Sequence, residues 1–166
     1  MPEGRIVKAL SGYYYVDVGD RVWQCRARGL FKKKQFSPLV GDWVDFDATE
    51  NGEGYIQKVF HRTSELIRPP VANVDQAVVV NSVRQPDLSP RLIDKFLVHS
   101  ERVGLKSIIV LTKSDLAKGA DDIREVIAMY ESVGYPVNKL SAKTGEGLNS
   151  IRERLRGQIS VFAGQS

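Results

Sequence analysis

The fold is decided by one stretch of the sequence, Ser107-Ile-Ile-Val-Leu-Thr-Lys-Ser-Asp-Leu116. The stretch begins with a short apolar run, which is typical of a strand buried on both faces of a parallel sheet. It continues directly into polar residues. Because parallel α/β sheets bind their ligands beyond the carboxyl ends of the strands, the polar residues 112–115 form a candidate binding segment.

Strands and helices alternate on both sides of this stretch. Apolar runs predict strands over 74–83, 107–111, 137–140 and 159–162. Apolar residues at helical spacing predict helices over 90–104, 121–134 and 148–156. This alternation predicts an α/β domain that is built on a parallel sheet.

Residues 1–67 follow a different pattern, in which short runs rich in Val, Tyr, Phe and Trp are separated by glycine-containing turns. The runs predict five strands, over 6–10, 13–18, 22–27, 43–46 and 55–60. Five short strands favour a small closed barrel, since closure removes exposed strand edges. An oligonucleotide-binding (OB) barrel is the first interpretation, and an SH3-like barrel is the alternative. Arg68-Pro69-Pro70 predicts a stiff, extended linker, so the predicted domains are 1–67 and 68–166.

The composition is that of a folded, globular chain of 166 residues with a single cysteine, Cys25, which excludes a disulfide framework and a cysteine-rich zinc site. A net charge of +4 permits an anionic partner such as RNA without requiring one. No apolar run approaches the roughly 20 residues of a membrane span, and the first residues lack the apolar core of a signal peptide. We therefore expect a reduced, soluble, cytoplasmic protein with no membrane partner. We also expect a monomer, because no long apolar stripe is left over.

The residues after two of the predicted strands fit guanine. The N1–H and 2-amino groups of guanine are adjacent donors that one carboxylate, that of Asp115, can accept together. Lys113 can cover the base with its aliphatic stem, and Thr112 can brace the loop through its hydroxyl. A backbone N–H of the loop 141–143 can meet guanine O6. Adenine would leave these groups unpaired, which gives selectivity on the order of 10⁴-fold where the effect is fully developed.

Two motifs carry a resemblance to a known family. Leu111-Thr-Lys-Ser-Asp-Leu116 resembles the guanine-specificity motif of the translation-factor class of GTPases, and Ser141-Ala-Lys143 resembles their second base-contacting motif. In ordinary GTPases both motifs follow the phosphate-binding loop, but here Val161-Phe-Ala-Gly-Gln-Ser166, which resembles the strand entering that loop, comes last. This order behind an N-terminal barrel is similar to the ribosome small subunit-dependent GTPase A family. The stretches 66–75 and 92–97 agree with that family as well.

The resemblance implies a circularly permuted P-loop GTPase domain that binds GTP or GDP with Mg²⁺. It also implies a role in late maturation of the small ribosomal subunit, with GTP hydrolysis stimulated by that subunit. The GTP-binding residues that it implies are Thr112, Lys113, Ser114, Asp115, Ser141, Ala142, Lys143, Gly164, Gln165 and Ser166. Thr112 departs from the commoner Asn of the motif, which predicts weaker bracing of the phosphate loop.

Parts of the family pattern are not found in these 166 residues. They are the Lys and Ser/Thr that complete the phosphate loop, the switch segments, and the zinc-bearing C-terminal domain typical of the family. We therefore expect the catalytic residues beyond Ser166, no metal ligands within this chain, and no GTP hydrolysis by this chain alone.

A basic group in the barrel is the predicted RNA contact. Its members are Arg26, Arg28, Lys32, Lys33 and Lys34. Aromatic residues lie near it in the sequence, and this mixture suits phosphate contacts combined with base stacking. Because strand side chains alternate, at most two of Tyr13, Tyr14 and Tyr15 can stack on bases. From the residues alone, a basic loop that is simply solvated is as good an interpretation as an RNA contact. The resemblance favours contact with ribosomal RNA of the small subunit.

Two other functions stay open. A barrel with an α/β platform could dock on RNA without turning over nucleotide, whereas a Gly-x-Gly-Lys-Ser continuation after Ser166 would support the enzyme. The second alternative is an ATP-dependent α/β protein in which Asp115 only caps the loop that follows it. Equal binding of ATP and GTP would favour that alternative.

Overall fold

The structure is a computed structural model that describes residues 1–29, 31, 36–117, 119 and 121–164, with main chain only at Asp121 and Asp122. Contacts between Cα atoms divide the chain into two compact units, Met1–Asn73 and Val74–Ser166. Among the described residues, no helix is both long and apolar enough to cross a membrane.

The first unit contains a closed barrel of five strands. The strands are β1 (Glu3–Leu10), β2 (Tyr13–Asp17), β3 (Val22–Ala27), β4 (Trp43–Ala48) and β5 (Glu53–Val59). Their order around the barrel is β1-β2-β3-β5-β4, and β1 closes the barrel on β4. The β3–β5 pair is parallel and the other pairs are antiparallel. This five-stranded Greek-key order is that of an OB-like barrel, so the prediction of such a barrel in the N-terminal region is confirmed.

Alternate residues of these strands fill the barrel interior. The buried side chains are Ile6, Val16, Cys25, Val44, Phe46 and Ile56. Burial raises the pKa of the Cys25 thiol to about 11. Gly54 lies so close to two of these side chains that a Cβ there would be 2.6 Å from Cys25 Sγ and 2.7 Å from Phe46 Cδ2. The barrel is therefore narrow enough that one inward position has to be glycine.

The segment predicted as an extended linker is instead part of a hairpin in the first unit. Strand β6 (Glu65–Ile67) pairs antiparallel with β7 (Pro70–Ala72), and Arg68 and Pro69 form the turn between them. Leu66 and Ala72 are buried, and the N–H of Ala72 donates to Val40 O at 2.9 Å. The linker prediction is wrong because prolines suit turns as well as extended chain, and burial of apolar side chains from this segment favours the turn.

In its described residues, the second unit is a four-stranded parallel sheet with three α-helices. In chain order it comprises β8 (Gln76–Ser82), α1 (Pro90–Arg102), β9 (Lys106–Thr112), α2 (Asp121–Ser132), β10 (Val137–Lys139), α3 (Leu148–Leu155) and β11 (Ser160–Gly164). The strand order is β10-β9-β8-β11, and every neighbouring pair is parallel. The predicted parallel α/β sheet is confirmed.

Both faces of this sheet are covered, which explains the continuous apolar runs in the sequence. On one face, side chains of β8 and β9 pack with α1 and α2, as Val79 and Ile109 do with Ile93. On the other face, Val78 and Ile108 pack with α3. Because the strands are parallel, the segments that follow them all emerge at one edge of the sheet.

Candidate functional site

The residues predicted to recognise guanine come from two loops at this edge, after β9 and after β10. Thr112 is the last residue of β9, and Lys113 has a φ of 55°, which turns the chain into a short 3-10 segment, Ser114–Leu116. Ser141 lies two residues beyond the end of β10 and is fully buried. Its hydroxyl donates to Asp115 Oδ1 at 2.6 Å. The second loop therefore orients the carboxylate of the first.

The carboxyl group of Asp115 is exposed and strongly favours its ionised form. The pKa of Asp115 is lowered, first by the hydrogen bond from Ser141 and then by its own backbone N–H and the charges of Lys143 and Lys113. Desolvation acts in the opposite direction and is outweighed. An ionised carboxylate is an acceptor only, which is what two adjacent N–H donors of a base require.

Main-chain hydrogen bonds join the two loops into one unit. The N–H of Ser114 donates to Leu140 O at 3.1 Å, and the N–H of Leu140 donates to Leu111 O at 2.8 Å. The hydroxyl of Ser114 also donates to Glu146 Oε2 at 2.7 Å. The Asp115 loop and the Ser141 loop are thus tied by side-chain and backbone contacts at once.

The Ser141 loop is closed by a tight turn that exposes its tip. The N–H of Ser141 donates to Glu146 O at 3.0 Å, and the N–H of Gly145 donates back to Ser141 O at 2.9 Å. The hydroxyl of Ser141 also accepts from the N–H of Thr144 at 3.2 Å. Ala142 and Lys143 lie exposed at the tip of the turn. Their backbone is therefore accessible to a bound base.

Gly147 shows how closely this turn packs against β10. Its φ is 77°, and a Cβ there would lie 1.9 Å from Lys139 O. Gly145 has a similar φ of 84°, but a Cβ there would meet nothing within 4 Å. Only Gly147 is therefore required by space as well as by backbone conformation.

Thr112 contacts the end of β8, and Lys113 contacts the loop that follows it. The hydroxyl of Thr112 donates to Asn81 O at 3.4 Å, and Thr112 O accepts from the N–H of Val83 at 2.9 Å. Lys113 Nζ donates to the carbonyl oxygen of Gln85 in the loop after β8. The structure therefore brings Thr112 and Lys113 to the loop after β8, and Ser114 and Asp115 to the loop after β10.

Gly164 ends β11 at the same edge of the sheet. It pairs with Val80 of β8, and a Cβ at Gly164 would lie 2.1 Å from Val80 O, so no larger residue fits without movement. Gln165 and Ser166, which were also predicted to bind GTP, lie outside the described residues. In the described part of the chain, no three His, Cys, Asp or Glu side chains are grouped as they are around a metal ion.

Three residues at this edge were not singled out from the sequence. Asn81 is almost fully buried, and its Oδ1 accepts from the N–H of Ser89 at 3.3 Å. Gln85 and Glu146 contact the Asp115 loop, as described above. The available signal for Asn81 was its place directly after the apolar run Ala77-Val-Val-Val80. Gln85 and Glu146 contact the loop across 28 and 32 residues of sequence, so no local pattern pointed to them.

The predicted RNA contacts lie on and after β3. Arg26 donates a hydrogen bond to the Tyr13 hydroxyl, and its guanidinium lies 4.5 Å from the centroid of the Tyr13 ring. Arg28 forms an exposed ion pair with Asp47 at 3.1 Å. Lys32, Lys33 and Lys34 lie outside the described residues.

Comparison with known proteins decides the family. The family model described as RsgA GTPase matches residues 59–166, and the model described as RsgA N-terminal domain matches residues 3–56. The chain belongs to the RsgA GTPase family.

Relatives in this family match over the whole chain. Two proteins named small ribosomal subunit biogenesis GTPase RsgA are 50% identical (Geobacillus kaustophilus) and 45% identical (Shouchella clausii) over 168 residues. These matches cover 100% of this chain and 57% of each relative. The chain therefore spans a little over half the length of the curated relatives that it matches.

Solved structures of the family share the fold. The crystal structure of YloQ, described as a circularly permuted GTPase, matches with a TM-score of 0.78 at 45% identity, over 100% of this chain and 60% of that chain. YjeQ from Thermotoga maritima matches with a TM-score of 0.83 at 39% identity, over 99% of this chain and 60% of that chain. The predicted combination of an OB-like barrel with part of a permuted P-loop GTPase domain is confirmed.

Proposed function

We propose that this chain is the guanine-recognition and RNA-docking part of a GTPase that assists late maturation of the small ribosomal subunit. The observation that carries the proposal is the hydrogen bond from Ser141 to Asp115, which joins two base-contacting motifs at the ligand-binding edge of a parallel sheet. The name of these relatives, small ribosomal subunit biogenesis GTPase, supplies the ribosomal context.

Base recognition follows from the groups at this edge. The ionised carboxylate of Asp115 accepts the N1–H and 2-amino groups of guanine, while the aliphatic stem of Lys113 covers one face of the ring. The backbone of Ala142 and Lys143 offers donors to guanine O6. Adenine has an amino group in place of O6 and no donor at N1, so it leaves both loops with unpaired groups.

Hydrolysis requires residues outside this chain. Gly164 leads into the phosphate loop, with Gln165 and Ser166 next along it, and the Lys and Ser/Thr that complete such a loop contact the phosphates and Mg²⁺. When bound, Mg²⁺ neutralises charge on the transferred phosphoryl group. We assign catalysis to the intact protein, place its zinc site beyond Ser166, and expect the 166 residues alone not to hydrolyse GTP.

The barrel contacts ribosomal RNA in this proposal. Arg26, Arg28 and the three lysines Lys32, Lys33 and Lys34 supply positive charge beside aromatic side chains, a combination suited to single-stranded nucleic acid. Because small subunits are assembled in the bacterial cytoplasm, we place the protein there, as a monomer that joins the subunit with GTP bound and leaves after hydrolysis.

The deciding experiment is GTP hydrolysis by the natural-length protein with and without purified small ribosomal subunits. We expect a slow basal rate that rises with subunits and that falls in the Asp115→Ala variant at subsaturating GTP. The exposed Asp87→Ala variant is the matched control. No hydrolysis in either condition would leave an RNA-docking module, and equal use of ATP would overturn guanine recognition.

A further inference from the structure

A row of aromatic and cationic side chains runs across the outer face of the barrel. Strand pairing places Tyr13 of β2 opposite Arg26 of β3, and Arg26 opposite Tyr55 of β5. In the next row, Tyr15 of β2 lies opposite Lys8 of β1. We call these five side chains the tyrosine–cation face.

Strand alternation directs these side chains outward. Tyr14, between Tyr13 and Tyr15, packs against the barrel core together with Trp23. Arg26 and Lys8 are exposed, and Tyr55 is 40% exposed. Large aromatic rings on the outer surface of a barrel are available to a partner rather than needed for its core.

The cations on this face form cation–π contacts with the tyrosine rings. The guanidinium of Arg26 lies 4.5 Å from the centroid of the Tyr13 ring, and Arg26 also donates to the Tyr13 hydroxyl. Lys8 Nζ lies 5.0 Å from the centroid of the Tyr15 ring. The guanidinium of Arg26 therefore lies over one tyrosine ring, and its strand position is next to that of a second tyrosine, Tyr55.

Arg28 provides a contrast on the same strand end. Its guanidinium is paired with the carboxylate of Asp47 at 3.1 Å rather than with a ring. Asp47 also accepts from Gln57 Nε2 at 2.6 Å, so this carboxylate already has two partners on the barrel surface. Of the two arginines, Arg26 is therefore the one whose guanidinium lies against an aromatic ring and, among the described residues, is not paired with a carboxylate in this way.

We propose that unpaired RNA bases stack on two flat groups of this face, the guanidinium of Arg26, which lies over Tyr13, and the neighbouring ring of Tyr55. We call these two groups the stacking plates. Base–aromatic stacking and stacking on arginine guanidinium planes are the ordinary means by which proteins hold single-stranded RNA. This inference rests on the proposed RNA binding of the barrel and is independent of GTP hydrolysis.

The spacing of the plates selects single strands over duplexes. The first plate, the guanidinium of Arg26, lies over Tyr13 of β2, whereas the second plate, Tyr55, lies on β5. Because β3 separates these two strands, the backbones of Tyr13 and Tyr55 are roughly 10 Å apart. Bases in a duplex rise only about 3.4 Å per step and cover each other's faces. Only a splayed strand can offer one base to each plate. The positive charge of Arg26 and Lys8 favours RNA over a protein partner, because the backbone of the splayed strand is anionic.

The test is fluorescence anisotropy with a labelled single-stranded RNA of about 12 nucleotides, within the site sizes of OB folds, and with a duplex RNA of the same length. The protein is this chain without nucleotide. The key variant is Arg26→Lys, which keeps the charge and removes the plane. Tyr55→Leu removes the second plate, and Tyr13→Phe keeps a ring without its hydroxyl. Arg156→Lys is the matched control, since Arg156 belongs to the second unit and its side chain is 76% exposed.

We expect Arg26→Lys and Tyr55→Leu each to weaken single-strand binding about tenfold, in the range measured for loss of one stacked base. Tyr13→Phe should weaken binding less than Arg26→Lys does, because the ring beneath Arg26 is kept, and Arg156→Lys should change it less than threefold. The dependence of affinity on salt should stay the same in Arg26→Lys, because the number of cations is unchanged. Thermal melts establish that each variant is folded.

Three results would overturn the proposal in distinguishable ways. If the unaltered chain binds neither RNA, the proposed RNA binding of the barrel fails, and with it this inference. If the chain binds RNA and Arg26→Lys binds as well as the unaltered chain, or loses single-strand and duplex affinity alike, the face attracts phosphate only. The same variants are also tested for binding to purified small ribosomal subunits, where loss of subunit binding without loss of RNA binding would make the face a protein-docking surface instead.

Discussion

The Ser141 hydroxyl donates to the Asp115 carboxylate at 2.6 Å, although 26 residues separate the two in the chain. The contact joins the loop after β9 to the loop after β10, and Ser141 is fully buried while Asp115 is exposed. A buried donor of this kind sets the orientation of an exposed acceptor without competing for the ligand at the surface.

Replacing Ser141 by Ala should weaken guanine-nucleotide binding several-fold, because the carboxylate of Asp115 loses the donor that orients it. The measurement is titration of the natural-length protein with a fluorescent GDP analogue. Ser132→Ala is the control, since Ser132 is exposed and its hydroxyl donates to Met129 O of its own helix. Equal affinity in both variants would show that Ser141 has no positioning role.

Replacing Asp115 by Asn should shift base preference from guanine toward xanthine. An amide offers a donor where the carboxylate accepts, and xanthine carries a carbonyl oxygen where guanine carries its 2-amino group. Competition between GDP and xanthosine diphosphate for the natural-length protein measures the change. Asp87→Asn, at a side chain that is 82% exposed, is the matched control. An unchanged preference would remove Asp115 from the base site.

The pH dependence of Asp115 follows from the direction of its shift. Its pKa is lowered in the folded protein, so its contribution to stability is fully present above the unfolded-state pKa, about 3.9, and is lost as pH falls through the folded-state pKa. An NMR titration of the Asp115 carboxyl carbon should therefore give a pKa below that of a free aspartate. In Ser141→Ala the pKa should rise. A titration that is the same with and without Ser141 would contradict the assigned cause.

The glycines of the Ser141 loop offer a matched pair. Gly145→Ala should cost only the strain of a positive φ, about 1 kcal/mol, because a Cβ there meets open space. Gly147→Ala should cost more and should also weaken nucleotide binding, since its Cβ would lie 1.9 Å from Lys139 O and force the loop away from β10. Urea melts of the two variants measure the difference. Equal destabilisation would mean that the loop adjusts freely.

The ion pair between Arg62 and Asp42 should be a main support of the first unit. Asp42 is fully buried, and Arg62 donates to its two carboxylate oxygens at 2.8 and 2.7 Å. The same arginine reaches Glu65 at 2.8 Å, at the start of β6. Arg62→Ala leaves a buried charge unpaired, so we expect a loss of about 3–5 kcal/mol in the free energy of unfolding.

The exposed pair between Arg28 and Asp47 is the control for that experiment, with an expected loss below about 1 kcal/mol in Arg28→Ala. Chemical denaturation followed by circular dichroism measures both variants. A small loss in Arg62→Ala would show that water or Leu39, whose N–H also donates to Asp42, satisfies the carboxylate.

Local patterns in the sequence were enough to predict the barrel strands and the parallel sheet. The number of buried faces of a strand can be read from its pattern. Alternation indicates one buried face, as in Trp23-Gln-Cys-Arg-Ala-Arg28, and a continuous apolar run indicates two, as in Ala77-Val-Val-Val80. The hairpin at Arg68 and Pro69 was missed because its stability comes from Leu66 and Ala72 packing into the first unit. No window of sequence shows where such short apolar segments will be buried.

The two kinds of sheet, the order of the motifs and the residue types at the ends of the strands can all be read from the sequence, because hydrophobic period and strand-end chemistry are local properties of the chain. The partners of those residues depend on the tertiary structure. Ser141 was predicted as part of a base-contacting loop, and folding made it the donor to Asp115. Arg26 was predicted as a phosphate contact, and strand pairing laid it on Tyr13. Both relationships join residues from different strands or loops, so they exist only once the register of the sheets is set.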